Sequence, residues 1–121
     1  MERTIIIDGK EYRMRASALI PRLYRFKFGR DMIRDLNSLA TKLNRIRNDE
    51  DKDEALSILD LTIFENLAWL FCRHADPENV PDNPDDWLAG IDGLFSVYEV
   101  LPQILDLWAA SSRTTSTPAK K

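Results

Sequence analysis

The chain has one cysteine and one histidine among its 121 residues, and each scarcity removes a class of function. Cys72 has no second cysteine for an intramolecular disulfide, so the expected compartment is reducing. Cys72 and His74 are separated only by Arg73, and on a helix that spacing points them about 200° apart. They therefore read as a buried cysteine and a helix-end histidine rather than a nucleophile and its base. The start, Met1-Glu2-Arg3-Thr4, carries no long apolar run, so no secretory signal is expected. The densest apolar stretch, Leu56 to Cys72, is interrupted by Asp60, Glu65 and Asn66, which argues against a membrane span. Glycine-rich phosphate loops are missing, and Gly90-Ile91-Asp92-Gly93 is too short to form one. Asp49, Asp51 and Asp53 mimic the opening of a calcium loop. Glu54 stands where its glycine belongs, however, and Asp60 where its last glutamate belongs. Asp76, Glu78, Asp82, Asp85 and Asp86 lack metal-ligand spacing but suit the docking of a basic surface. The expectation is a protein with no catalytic, cofactor or metal residues.

Charge is present in quantity and unevenly placed. Residues 1–47 carry a balance of +7 and residues 48–110 a balance of −13, within a net charge of −3. A nucleic-acid module shows a basic excess over the whole domain. Two opposed halves in one chain favour attraction within or between copies over DNA binding.

The order of elements follows from patterning. Thr4-Ile5-Ile6-Ile7 and Glu11-Tyr12-Arg13-Met14-Arg15 flank Asp8-Gly9-Lys10, a hairpin signal because a tight type I′ turn needs positive φ. Tyr12 and Met14 alternate with Arg13 and Arg15, giving one apolar and one basic face. A first helix is predicted from about Ile20 to Phe28, with Pro21 in its first turn and Gly29 closing it. Ile20, Leu23, Tyr24, Phe26 and Phe28 share one broad apolar arc, with Arg22 and Arg25 opposite. Lys27 falls inside the apolar arc, where its stem snorkels toward an acidic partner. A second helix is predicted from about Asp31 to Arg47, burying Met32, Ile33, Leu36, Leu39, Ala40, Leu43 and Ile46. Arg34, Asp35, Lys42 and Arg45 lie on its outer face. After a solvated turn over 48–53, a third helix from about Asp53 to Ala75 is apolar nearly all round and therefore central.

Pro77, Pro81 and Pro84 make the following segment a loop. Asn83 before Pro84 starts a short helix carrying Trp87 and Leu88. Ser96 opens a last helix to about Ala110, with Pro102 inside it as a kink or a restart. Trp69, Trp87 and Trp108 sit in apolar helical contexts and read as core, with a partner anchor as the alternative. The predicted fold is α+β and predominantly α: an N-terminal β-hairpin packed on a bundle of about five helices. Residues 1–110 form a single domain, and residues 111–121 a disordered C-terminal tail.

Several segments together resemble a known family. They are Ala16 to Ile20, then Pro21-Arg22-Leu23-Tyr24-Arg25-Phe26-Lys27-Phe28-Gly29-Arg30-Asp31, then Phe64-Glu65-Asn66-Leu67-Ala68-Trp69-Leu70, Asp86-Trp87-Leu88, and Tyr98-Glu99-Val100-Leu101-Pro102-Gln103-Ile104. This pattern, from the hairpin to Trp108, resembles the tail assembly chaperones of long-tailed phages and prophages of Gram-positive bacteria. The resemblance implies a non-enzymatic protein that binds and solubilises the tape measure protein and recruits the tail-tube protein. It also implies work in the host bacterial cytoplasm and absence from the mature virion. In many such phages a ribosomal frameshift near the gene's end yields a longer form, and the ending Pro118-Ala119-Lys120-Lys121 suits one. No cofactor, nucleic acid or membrane partner is implied.

A chaperone of this kind is expected to self-associate through its oppositely charged halves. The residues predicted to meet client or copy are Tyr24, Arg25, Lys27, Arg30, Asp82, Asp85 and Asp86. The alternative is a small nucleic-acid-binding regulator using Arg22, Arg25, Lys27 and Arg30 on phosphates, with Tyr24 or Phe26 stacking on bases. The predicted arc, which sends those aromatics inward, weighs against it.

Overall fold

A computed structural model describes residues 1–7, 9–47, 56–91 and 97–116. Strands β1 (Glu2–Ile7) and β2 (Lys10–Arg15) form an antiparallel hairpin in which Ile5 faces Tyr12 and Arg3 faces Met14. Gly9 has φ +79°, a left-handed conformation that side chains resist, which is why the turn carries glycine there; Asp8 lies outside the described residues. Ile5, Ile7 and Met14 are buried and Ile6 and Arg13 exposed, so the predicted two-faced alternation holds. The buried face rests on α3 (Ile58–Ala75) through β2 and on α5 (Val97–Ser116) through β1.

Helix α1 (Leu19–Phe28) ends where the sequence places it: Gly29 takes φ +67° and its N–H donates to the Arg25 carbonyl at 2.8 Å. Its buried side is narrower than predicted. Ile20 and Tyr24 are buried and Leu23 and Phe28 half-buried, but Phe26 is 70% exposed. Phe26 lies about 200° round the helix from Tyr24, so the helix cannot bury both against one neighbour.

Helix α2 (Met32–Arg47) starts where the Asp31 carboxylate accepts the Arg34 N–H at 3.2 Å. Met32, Leu36, Leu39 and Leu43 are buried as predicted, whereas Ile33 is exposed. Asp35, placed by the sequence on the outer face, is only 5% exposed. The turn at Gly29 folds α2 back so that Asp35 meets Tyr24 and Arg30, and polar contacts rather than solvent satisfy its charge.

Helix α3 begins at Ile58, later than the predicted Asp53, because Ser57 caps it. The Ser57 hydroxyl accepts from the Asp60 N–H at 3.0 Å, and the Asp60 carboxylate accepts from the Ser57 N–H at 2.9 Å. Asp60 also takes the Lys42 ammonium at 2.9 Å, tying α2 to the start of α3. Burial alone disfavours the charged form of Asp60, yet its bonds to Lys42 and Ser57 outweigh that and hold its pKa below the usual carboxylate range. Replacing Ser57 with alanine is expected to cost about 1 kcal/mol, read as a lower urea midpoint at unchanged m. The predicted acidic turn over 48–53, with Asp49, Asp51 and Asp53, falls outside the described residues.

From Ile63 to Cys72, α3 is buried on every side except at half-buried Glu65 and Asn66, because α1, α2, α4, α5 and β2 all touch it. It is the central helix. Helix α4 (Pro84–Ala89) is capped by Asn83, whose side-chain oxygen accepts the Asp86 N–H at 2.8 Å, with Pro84 in its first turn. Helix α5 contains Pro102 within one continuous element, and the predicted opening at Ser96 lies outside the described residues. It runs past the predicted end at Ala110 to Ser116, since nothing between Ala109 and Ser116 breaks a helix before Pro118. The architecture is the predicted one, a hairpin packed on five helices.

Candidate protein-interaction site

An open, largely apolar groove of about 540 Å³ lies between α1 and the second half of α3. Leu23, Phe26 and Lys27 of α1 share one face because they are three and four residues apart. Trp69, Leu70 and Arg73 of α3 face them for the same reason. The segment after α3 closes the end through Pro77 and Asp82.

Each wall is held from behind. The Trp69 indole N–H donates to the Pro81 carbonyl at 2.8 Å, and its ring meets Phe28 edge-on at 6.1 Å between centroids. Phe28 in turn lies 5.1 Å from Tyr24, so the groove's floor continues the core. Arg73 clamps the 77–80 segment by donating from Nη1 to the Pro77 carbonyl at 2.8 Å and the Val80 carbonyl at 2.6 Å. Phe26 projects at the edge, with the Arg22 guanidinium 4.9 Å above its ring.

Lys27 behaves nearly as its odd position suggests. Its stem crosses apolar surface and its ammonium lies 5.5 Å from the centre of the Trp69 ring. The acceptor it reaches, at 3.4 Å, is the Asp82 backbone carbonyl rather than a carboxylate. No carboxylate among the described residues forms an ion pair with Lys27 or Arg73.

The structure therefore gathers two of the predicted contact residues, Lys27 and Asp82, and disperses the rest. Tyr24 is fully buried and unavailable to a partner; its hydroxyl donates to Asp35 at 2.8 Å. Arg30 forks onto Asp35 at 2.8 and 3.0 Å, in a shallow recess at the α1–α2 turn. Arg25 is exposed but lies on the side of α1 turned away from the groove. Asp85 is exposed in the first turn of α4. Asp86 accepts from Asn83 and borders a different hollow, with Tyr12, Arg13 and Trp87. Sequence reasoning missed Phe26 as a surface residue and Leu70 as floor. The Arg22–Phe26 spacing of four was the available signal.

The chemistry here suits binding. The Ser17 hydroxyl and His74 Nε2 are 2.9 Å apart, but the hydroxyl also accepts the Leu19 N–H at 3.2 Å as a helix-start contact. Burial, then the positive charges of Arg15 and the amino terminus, lower the His74 pKa and favour the neutral ring. Burial pushes the Cys72 thiol up to about 12, far from a reactive thiolate. Among the described residues no group of three or more His, Cys, Asp or Glu could hold a metal ion, and no helix is long and apolar enough to cross a membrane. No protein-family model, curated protein or solved structure matches this chain.

Proposed function

We propose that this chain is a tail assembly chaperone of a long-tailed phage or prophage of Gram-positive bacteria. In that role it holds the tape measure protein soluble in the host cytoplasm and is left out of the mature virion. The observation that carries the reading is the α1–α3 groove. It is an open apolar surface with a projecting aromatic, built on a rigid helical core, and so suited to an apolar helical client. The sequence resemblance supplies the identity of that client. From Ile63 to Cys72 most of the apolar surface of α3 is consumed by the domain's own core, so along that stretch the client meets the helix at the groove; Ile58, Leu59 and Leu61 at the helix's start are exposed as well. Recruitment of the tail-tube protein belongs to a longer, frameshifted form; a gene whose 3′ end lacks a slippery run and an overlapping frame removes that part.

Self-association follows from the opposed charge of the two halves, a heterologous contact that propagates along a client. Light scattering is expected to show assemblies at low salt that dissociate as salt rises. A monomer at every salt and protein concentration contradicts this. For the chaperone itself, the test is co-expression with the neighbouring long, helix-rich tape measure protein. The expected result is a soluble co-purifying complex, and no gain in client solubility rejects the reading.

One observation favours the alternative of a nucleic-acid-binding regulator. Phe26 faces solvent rather than the core, beside Arg22 and Lys27, so an aromatic is free to stack on a base. Against it, Arg22 already covers that ring and Asp82 lines the same groove. A shift of non-specific single-stranded DNA at low salt, abolished by Phe26→Ala, decides for the regulator.

A further inference from the structure

The groove's charge pattern selects its occupant. Lys27 and Arg73 flank the apolar floor of Trp69 and Leu70, and Arg22 stands beside it over Phe26. The contacts that orient these cations are a ring face and backbone carbonyls, none of which neutralises them. The single carboxylate on the groove's lining is Asp82. The margin is therefore net positive around an apolar centre. Neither strand contributes to the lining, so an extended segment finds no backbone edge to pair with there. A helix needs none, since its backbone groups bond to one another.

We propose that the groove binds an amphipathic helix of a partner protein whose apolar stripe is flanked by carboxylates. Aliphatic side chains three and four residues apart pack against exposed Phe26 and half-buried Leu23, above the nearly buried floor of Trp69 and Leu70. A glutamate or aspartate one turn away pairs with Lys27 and Arg22. A lysine-flanked helix of the same apolar stripe brings like charges together as water leaves, and is rejected. This deepens the chaperone reading by naming which client segments are held, although its test uses no phage component.

The experiment measures fluorescence anisotropy of two labelled synthetic helical peptides with the full chain. Both peptides share one leucine stripe, flanked by glutamates in one and by lysines in the other. The glutamate peptide is expected to bind about tenfold tighter at low salt, with the gap closing as salt rises. Lys27→Glu is expected to erase or reverse that preference. Phe26→Ala is expected to weaken both peptides about tenfold. Both side chains are exposed, so circular dichroism melts of the two variants should match the parent. Equal binding of the two peptides overturns the proposal, as does a preference that Lys27→Glu leaves intact. Dimerisation lost in Lys27→Glu, with neither peptide bound, gives the groove to a second copy and also overturns it. A chain that prefers the glutamate peptide yet fails to solubilise the tape measure protein refutes the chaperone reading while the groove's specificity stands.

Discussion

Replacing Asp35 with alanine is expected to lower the stability of this protein by about 3 kcal/mol, and its melting temperature by about 12 °C. Asp35 is nearly buried, and three hydrogen bonds converge on it: one from the Tyr24 hydroxyl and two from the Arg30 guanidinium. Arg30 is partly exposed and rehydrates when the carboxylate is removed. Tyr24 cannot, because its whole side chain lies in the core, so the variant leaves a buried hydroxyl unpaired. Tyr24→Phe alone should be milder, about 1 kcal/mol, since Asp35 keeps Arg30. Adding Tyr24→Phe to Asp35→Ala should recover part of the loss, because no buried donor then remains. A strictly additive cycle contradicts the coupling.

The same carboxylate sets an acid dependence. Burial opposes ionisation of Asp35, but its bonds from Arg30 and Tyr24 outweigh this and hold its pKa below the usual range. A folded-state pKa below the unfolded value means the stabilisation is complete above the unfolded carboxylate value of about 4. It is lost as pH falls from there through the folded value. Asp60 adds to the loss in the same direction. Glu65, whose pKa burial raises, acts oppositely. Denaturation followed from pH 6 downward should therefore show a shallower fall in Asp35→Asn than in the parent.

Phe71→Ala carries the largest expected effect, about 4 kcal/mol, or about 16 °C in melting temperature. Phe71 is fully buried on the central helix, where the hairpin and the other helices converge. Truncation there leaves a cavity whose lining is anchored on several elements and cannot collapse from one side. A stability of 5–15 kcal/mol is usual for a domain, so the variant should sit near the edge of folding. Cys72 next to it provides the readout. Its thiol is buried and inert in the folded state, so alkylation reports the opened population. Labelling should accelerate several-hundred-fold or more in Phe71→Ala, on the order of what 4 kcal/mol allows, and remain at the parent rate in Phe26→Ala. Equal labelling of both variants contradicts the assignment of Phe71 to the core and Phe26 to the surface.

Local chemistry made much of the fold legible in the sequence. Gly29 ending α1, Asn83-Pro84 starting α4 and the alternation of β2 each depend on residues within a turn of one another. The α2 pattern puts Asp35 outside because it lies between apolar positions; its partners arrive only when the left-handed Gly29 folds α1 against α2. The pattern puts Phe26 inside because it shares a broad apolar arc with Tyr24 and Phe28, an arc wider than one neighbouring helix can cover. Sequence alone does not say which edge of such an arc is left out. A start at Asp53 places Ser57 inside the third helix, because the acidic run before it is as compatible with a helical start. The site was legible at Lys27, whose misfit on an apolar arc marks the groove's rim, and at Asp82 in the acidic loop.

Recovery of the tape measure protein is the direct test of the role proposed for the α1–α3 groove. The parent chain, Phe26→Ala and Lys27→Glu, each folded to the same melting temperature, are co-expressed with that protein, and the soluble complex is quantified. A stable complex is expected with the parent and a loss of about tenfold in each variant. Equal recovery with all three chains would contradict that role.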